Sequence, residues 1–369
     1  MPFCRQACYY CNFHFSTSLQ HKNELIGALL KEIELTAGKQ DETIETIYFG
    51  GGTPSLLSKT ELNEILDKVN AFFIVSTDAE ITLEANPDDI SAASLNLWKL
   101  AGINRLSIGI QSFFQKDLEW MNRAHDANQA EESIELARDA GFTNFSIDLI
   151  FGAPGLSDSN WEKNVMHVIA KKVPHISCYA LTAEPKTALQ KMIEKKKTPG
   201  IDADQQARQY LLLMQWLEEA GYEHYEISNF ALPGLQSRHN SSYWQGKPYF
   251  GFGPSAHSYK HYTRSWNINN NMAYIKSLEK NIIPAEKEIL TPVQQLNEYI
   301  MTRLRLNTGL DISFISEKFG TDAAAKLFDA AAKHTASGKM ITDRRRLYLT
   351  REGKLFADGI TADLFFGKL

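Results

Sequence analysis

Short β-branched runs alternate with helical patterns through the first half of the chain, and no other feature restricts the fold as much. Leu25, Leu29 and Ile33, flanked by Ile26 and Leu30, recur at helical spacing after a polar stretch at 16–23. A strand follows in ETIYFGGGTPS, then a helical stretch at 59–71, a strand in AEITLEANP and a helix at 91–101. The series continues with a strand in NRLSIGIQSF, a helix near 127–140, a strand in NFSIDLIFGAPG, a helix near 159–171 and a strand in HISCYALTAEP. Residues 1–3 read as the tail of a further strand whose beginning is absent, so the sequence is expected to be short by several residues at its start. Counting that stub, six βα repeats predict an α/β fold with a parallel sheet, built as a partial (βα)6 barrel rather than a closed ring of eight.

A chain of 369 residues exceeds one ordinary core, which predicts a large domain and a smaller one. The expected divisions are a barrel at 1–220, an aromatic- and histidine-rich segment at 221–289 and a helical domain at 290–369. Residues 222–266 hold eleven aromatics and four of the ten histidines without clean periodicity, and read as irregular surface wrapped over the barrel mouth. The last region runs through LNEYIMTRLR, ISFISEKFG and AAAKLFDAAAKHTASGKM to a hairpin in MITDRRRLYLTREG, a winged-helix-like order. A net charge of −5 gives no electrostatic case for nucleic acid, and Arg344, Arg345 and Arg346 read as a solvated turn. No apolar run approaches the roughly 20 residues of a membrane span and no signal peptide opens the chain, so a cytoplasmic location is expected.

Three of the four cysteines, Cys4, Cys8 and Cys11, stand as CxxxCxxC near the start. In a reducing compartment such a cluster is more often metal-binding or redox-active than disulfide-bonded. Three thiolates on one loop can each hold one iron of a [4Fe–4S] cube, leaving the fourth iron open to a small molecule. A zinc site completed by His14 as Cys3His is the rival, and three unrelated buried thiols the bland alternative. Cys178 reads as a small core residue on the sixth strand. In parallel βα folds the chemistry gathers beyond the carboxyl ends of the strands. The cysteines, Gly50–Thr53, Glu84 with Asn86, Gln111 and Asp148 all fall there.

This cysteine spacing, after a first strand and opening βα repeats, resembles the radical S-adenosylmethionine (SAM) superfamily. The resemblance implies that the open iron chelates the amino and carboxylate groups of SAM. It also implies a SAM cradle made by Tyr10, Gly51, Gly52, Thr53, Glu84, Gln111, Arg123, Asp148 and Ala180. Glycines allow close backbone approach, Thr53 adds a hydroxyl, and Glu84 can accept from a ribose or an ammonium.

The likeness extends through YEISNFA and the C-terminal region, and is closest to the branch holding the oxygen-independent coproporphyrinogen oxidases and related heme chaperones. The oxidases carry one more cysteine two residues after the third, where this chain has Phe13. HNSSYW matches the HNxxYW pattern of the chaperones. That match implies His239 as an axial heme ligand, with Tyr243 and Trp244 covering the porphyrin; His257 and His261 are weaker candidates. The resemblance therefore implies heme binding and transfer to acceptor proteins, heme enzymes of the respiratory chain among them, with the C-terminal domain closing over the barrel mouth. The alternative it leaves is oxidative decarboxylation of coproporphyrinogen III.

Overall fold

In the computed structural model, which describes residues 1–37 and 42–367, the predicted strands form one curled sheet. Strands β1 (Ile44–Phe49), β2 (Val75–Ala85), β3 (Arg105–Gln111), β4 (Phe145–Phe151) and β5 (His175–Ala180) pair in parallel. An antiparallel hairpin, β6 (Glu223–Glu226) and β7 (Asn229–Ala231), extends the sheet in the order β1-β2-β3-β4-β5-β7-β6. Intervening helices start where polar caps allow: Ser58 and Glu61 box the helix Lys59–Phe72, and Asp126 and Gln129 box Ala127–Asp139.

Alternation along the strands makes the sheet a half-barrel with two different faces. Leu106, Ile108 and Ile110 of β3, Phe145, Ile147 and Leu149 of β4, and Ile176 and Cys178 of β5 are buried in one core with the helices. The residues between them are polar: Arg105 and Ser107, Ser146 and Asp148, His175 and Ser177. These point into the concave side, where Ser146 donates to Ser107 at 3.0 Å. Cys178 thus lies in the helix-facing core, 2% exposed.

Residues 1–3 form no strand of this sheet, so five parallel strands stand where six repeats were expected. Met1 nonetheless lies where a preceding strand would: its amino group donates to Gly50 O at 2.5 Å, and its carbonyl accepts from Gly52 N–H at 2.6 Å. That pair of bonds is a parallel ladder step across Gly51.

The aromatic-rich segment is more ordered than its missing periodicity suggests. Its first part is the β6–β7 hairpin of the main sheet, and its second is the helix Arg238–Trp244. Strands β8 (His257–Lys260), β9 (Thr263–Asn267) and β10 (Ala285–Ile289) form a second, antiparallel sheet. Buried Glu32, on the helix Lys22–Thr36, ties this sheet down by accepting from Gly253 N–H (2.8 Å), Asn267 Nδ2 (2.6 Å) and Tyr274 OH (2.5 Å). Large rings on both faces of short strands hid the period of two.

The C-terminal domain has its own core, centred on Leu296, Ile300, Ile315, Leu327 and Leu347. Helices Pro292–Leu304, Ile312–Phe319 and Thr321–Ala336 precede the hairpin β12 (Met340–Asp343) and β13 (Arg346–Leu349), with β11 (Leu310–Asp311) beside β13. It docks on the β6 edge, where Asn307 N–H donates to Tyr225 O at 3.0 Å, and on the helix Arg238–Trp244, where the Arg305 guanidinium stacks over Trp244. Among the described residues no helix is long and apolar enough to cross a membrane.

Candidate functional site

The cysteine loop is pinned across the carboxyl edge of the half-barrel from two sides. Tyr9 N–H donates to Met121 O at 3.1 Å, Leu189 N–H to Tyr9 O at 2.8 Å and Asn122 Nδ2 to Ala7 O at 2.8 Å. Cys4, Cys8 and Cys11 are free thiols, each partly buried. Burial raises the thiol pKa of Cys4 and Cys11, and the neighbouring cysteines raise both further. His14 is engaged elsewhere, its Nε2 lying 2.7 Å from Asn271 Oδ1, so the fourth ligand of a Cys3His zinc site is turned away to the second sheet's helix.

Arg123 joins the loop to the sheet. Its Nη1 donates to Cys8 Sγ at 3.4 Å, and its Nη2 to Asn86 Oδ1 at 2.9 Å and Gly109 O at 2.7 Å. Burial raises the pKa of the Tyr10 phenol, and the charge of the neighbouring Arg123 guanidinium pulls it back. Buried Arg123 Nε has no partner, leaving one donor for a ligand.

Beneath the loop runs the glycine turn. Gly51 has φ +114°, a conformation that disfavours a side chain. A methyl at Gly52 would stand 2.5 Å from Phe3 O and 3.0 Å from Cys4 Sγ, so the loop must shift if one is added. Gly52→Ala is therefore expected to lower the iron content after anaerobic reconstitution by at least half while the helical circular dichroism stays unchanged; full iron loading would show that the loop tolerates displacement.

Two carboxyl groups face the same space. Glu84 accepts from Tyr48 OH at 2.7 Å and Gly51 N–H at 3.1 Å, and desolvation pushes its pKa up to about 7. Desolvation likewise raises Asp148 to about 6, against a hydrogen bond from Ser177. Gln111 is buried with φ +69°, unusual for a residue with a side chain, where the β3–β4 register slips. The predicted set from Tyr10 to Asp148 thus gathers at one edge, and Ala180 stands exposed at the carboxyl end of β5, the strand beside that of Asp148.

His239 lies within the concave side rather than on outer surface. Its ring stacks on Tyr48 with centroids 4.7 Å apart and planes at 18°, Nδ1 lies 2.8 Å from Thr46 Oγ1, and Nε2 lies 3.0 Å from Tyr243 OH. Burial, then the Arg105 charge, pushes its pKa down to about 4, so the imidazole is neutral at neutral pH, as iron ligation requires. Tyr243, one helical turn on, meets His239 edge-on, whereas Trp244 faces Arg305 of the C-terminal domain. His239 and Tyr243 are brought together and Trp244 is not. Exposed His257 stands 6.4 Å from the Trp266 ring, and His261 occupies the β8–β9 turn with φ +49°.

Three residues that place His239 escaped the sequence reading. Buried Glu80 accepts from the backbone N–H groups of Arg238 (3.1 Å) and His239 (2.9 Å) and from Ser237 Oγ, and lies 3.8 Å from buried Arg105. Thr46 and Tyr48 hold the ring. A signal existed: TIY and EITLE place polar groups at every second position, which in a parallel strand marks a face turned into a polar lumen.

The residues fit a [4Fe–4S] cluster with SAM. Three thiols share a loop, those of Cys4 and Cys11 with their anionic forms disfavoured, a state a cationic cluster relieves, and raised carboxyls beside an unpartnered guanidinium donor suit an amino acid and a ribose. Half-barrel and thiol loop together define a radical SAM protein. Residues 1–167 match the model of the radical SAM superfamily and residues 290–356 that of the HemN C-terminal domain. Heme chaperone HemW of Bacillus subtilis is 36% identical over 100% of this chain and 98% of that protein, and HemW of Mycobacterium tuberculosis H37Rv is 35% identical over 99% and 93%. The structure of coproporphyrinogen III oxidase (HemN) from Escherichia coli superposes with a TM-score of 0.86 at 24% identity, covering 99% of this chain and 88% of that one, and so shares the fold. The chain belongs to the HemW family of radical SAM proteins.

Proposed function

We propose that this protein is a heme chaperone: it carries a [4Fe–4S] cluster on Cys4, Cys8 and Cys11, binds SAM against Glu84, Gln111, Arg123 and Asp148, and takes up heme through His239 for delivery to acceptor proteins. The reading rests chiefly on one combination, a likeness to heme chaperones over the whole chain and a neutral imidazole set beside a half-exposed tyrosine. When bound, the cluster supplies an electron and an iron corner to which SAM can be chelated. The chain's own residues do the rest: Arg123 fixes the loop, Glu84 and Asp148 accept from the nucleoside, and Thr46 holds His239 with Nε2 toward the Tyr243 hydroxyl. We place this work in the cytoplasm, with heme enzymes of the respiratory chain as the acceptors.

Phe13 stands 71% exposed on the cysteine loop where the oxidases have a further thiol, which favours carriage over porphyrinogen chemistry. Heme titration of the anaerobically reconstituted chain is expected to give one equivalent bound with a Soret shift, and His239→Ala is expected to weaken binding at least tenfold. Equal binding by both would remove His239 from the ligand set. Turnover of coproporphyrinogen III to a decarboxylated product would replace the chaperone reading with that of an oxidase.

A further inference from the structure

We propose that His239 and the Glu84 carboxylate are coupled through Tyr48, so that SAM occupancy and ligation at the histidine change one another's affinity. The inference rests on the site assignments above and adds the link between them.

The link is a continuous set of contacts on one strand. Thr46 and Tyr48 project from the inner face of β1 and both touch His239, the first at Nδ1 and the second across the ring face. The hydroxyl of the same Tyr48 donates to Glu84 Oε1 at 2.7 Å, while Gly51 N–H holds Oε2 at 3.1 Å. Gly50 leaves no slack, because a methyl there would stand 2.8 Å from the Tyr48 ring and 3.1 Å from Glu84 Oε1. A ring packed this tightly cannot follow the imidazole without moving the carboxylate and the glycine turn.

Outward, the contacts end at solvent. Tyr243 meets His239 edge-on at 4.9 Å, Tyr249 meets Tyr243 at 4.6 Å, and Tyr243 is 40% exposed. A planar iron macrocycle reaching Nε2 must displace the Tyr243 hydroxyl that now lies 3.0 Å from it. That exchange releases one of the three restraints on the imidazole and loads the other two, Thr46 and the Tyr48 stack. A ligand that interacts differently with the two arrangements shifts the equilibrium between them, and the coupling is reciprocal. An aromatic pair of this kind sets the expected size at about two- to tenfold in affinity.

The test measures SAM dissociation constants by calorimetry on the full, reconstituted chain without heme. His239→Ala is expected to weaken SAM about two- to tenfold. Tyr48→Phe keeps the stack but loses the Glu84 bond, and Tyr48→Leu loses both, so His239→Ala should add nothing in either background. Iron content and melting midpoint, compared across variants, identify any that misfold, and Tyr48→Phe is the variant least prone to do so. Equal SAM affinity in wild type and His239→Ala, or full additivity in the double variants, overturns the coupling. A second arm titrates heme with and without saturating SAM and SAM with and without bound heme, where the two factors must be equal. Identical heme affinity in both states overturns the coupling while the chaperone reading stands; absence of heme uptake overturns that reading, and the SAM arm still decides the coupling.

Discussion

Cys8→Ser is expected to abolish the iron–sulfur centre: iron and sulfide after anaerobic reconstitution should fall from about four per chain toward zero, and the broad visible absorption should vanish. A serine hydroxyl is not ionised at neutral pH and is a poor ligand for iron, so the cube loses one of its three protein corners. The same change removes the sulfur to which Arg123 Nη1 donates at 3.4 Å, while that guanidinium keeps Asn86 and Gly109. The loop also keeps its backbone bonds to Met121 and Leu189, so the fold should survive. SAM binding should be lost with the cluster, whereas heme uptake measured without SAM should change by no more than a few-fold, because His239 stands on the helix Arg238–Trp244 and not on the loop. Cys178→Ser is the control, since that thiol lies in the core on the opposite face of the sheet and should leave the iron content unaltered. Full iron loading of Cys8→Ser would remove Cys8 from the ligand set.

Glu80→Ala should be the most destabilising single change among those named, at about 3–5 kcal/mol, because it strands a buried charge. Arg105 is 1% exposed, its Nε and Nη2 have no hydrogen-bond partner, and the Glu80 carboxylate 3.8 Å away is its counter-ion. Loss of that carboxylate also orphans the N–H groups of Arg238 and His239 at the start of the HNSSYW helix. The melting midpoint should fall by several degrees, and amide exchange at residues 238 and 239 should accelerate before the rest of the half-barrel. Replacing both partners, Glu80→Ala with Arg105→Met, should recover most of the loss, since no charge then remains unpaired. If the double variant melts no higher than Glu80→Ala alone, the cost comes from lost packing and not from charge.

Much of the barrel was legible because each βα unit writes its own pattern. The predicted helix at 59–71 is Lys59–Phe72 and the one at 127–140 is Ala127–Asp139, both begun by capping boxes a reader can see. Local rules could not foresee that five parallel strands continue into an antiparallel hairpin, or that a segment dense in rings builds a second sheet, because pairing partners far apart in sequence decide such matters. The site divides likewise. CxxxCxxC and the residues at the strand ends could be named in order, since a parallel fold delivers all its carboxyl ends to one edge.

Sequence alone determined the thiol trio, the kind of sheet and the edge at which polar groups gather, since spacing and periodicity are local and survive without any partner. Only the tertiary structure decided that His239 lies inside the half-barrel, stacked on Tyr48 and held by Thr46 and Glu80, with Trp244 turned to another domain. The reason is physical: which face a seven-residue helix presents, and to what, follows from a buried carboxylate more than 150 residues away in the chain.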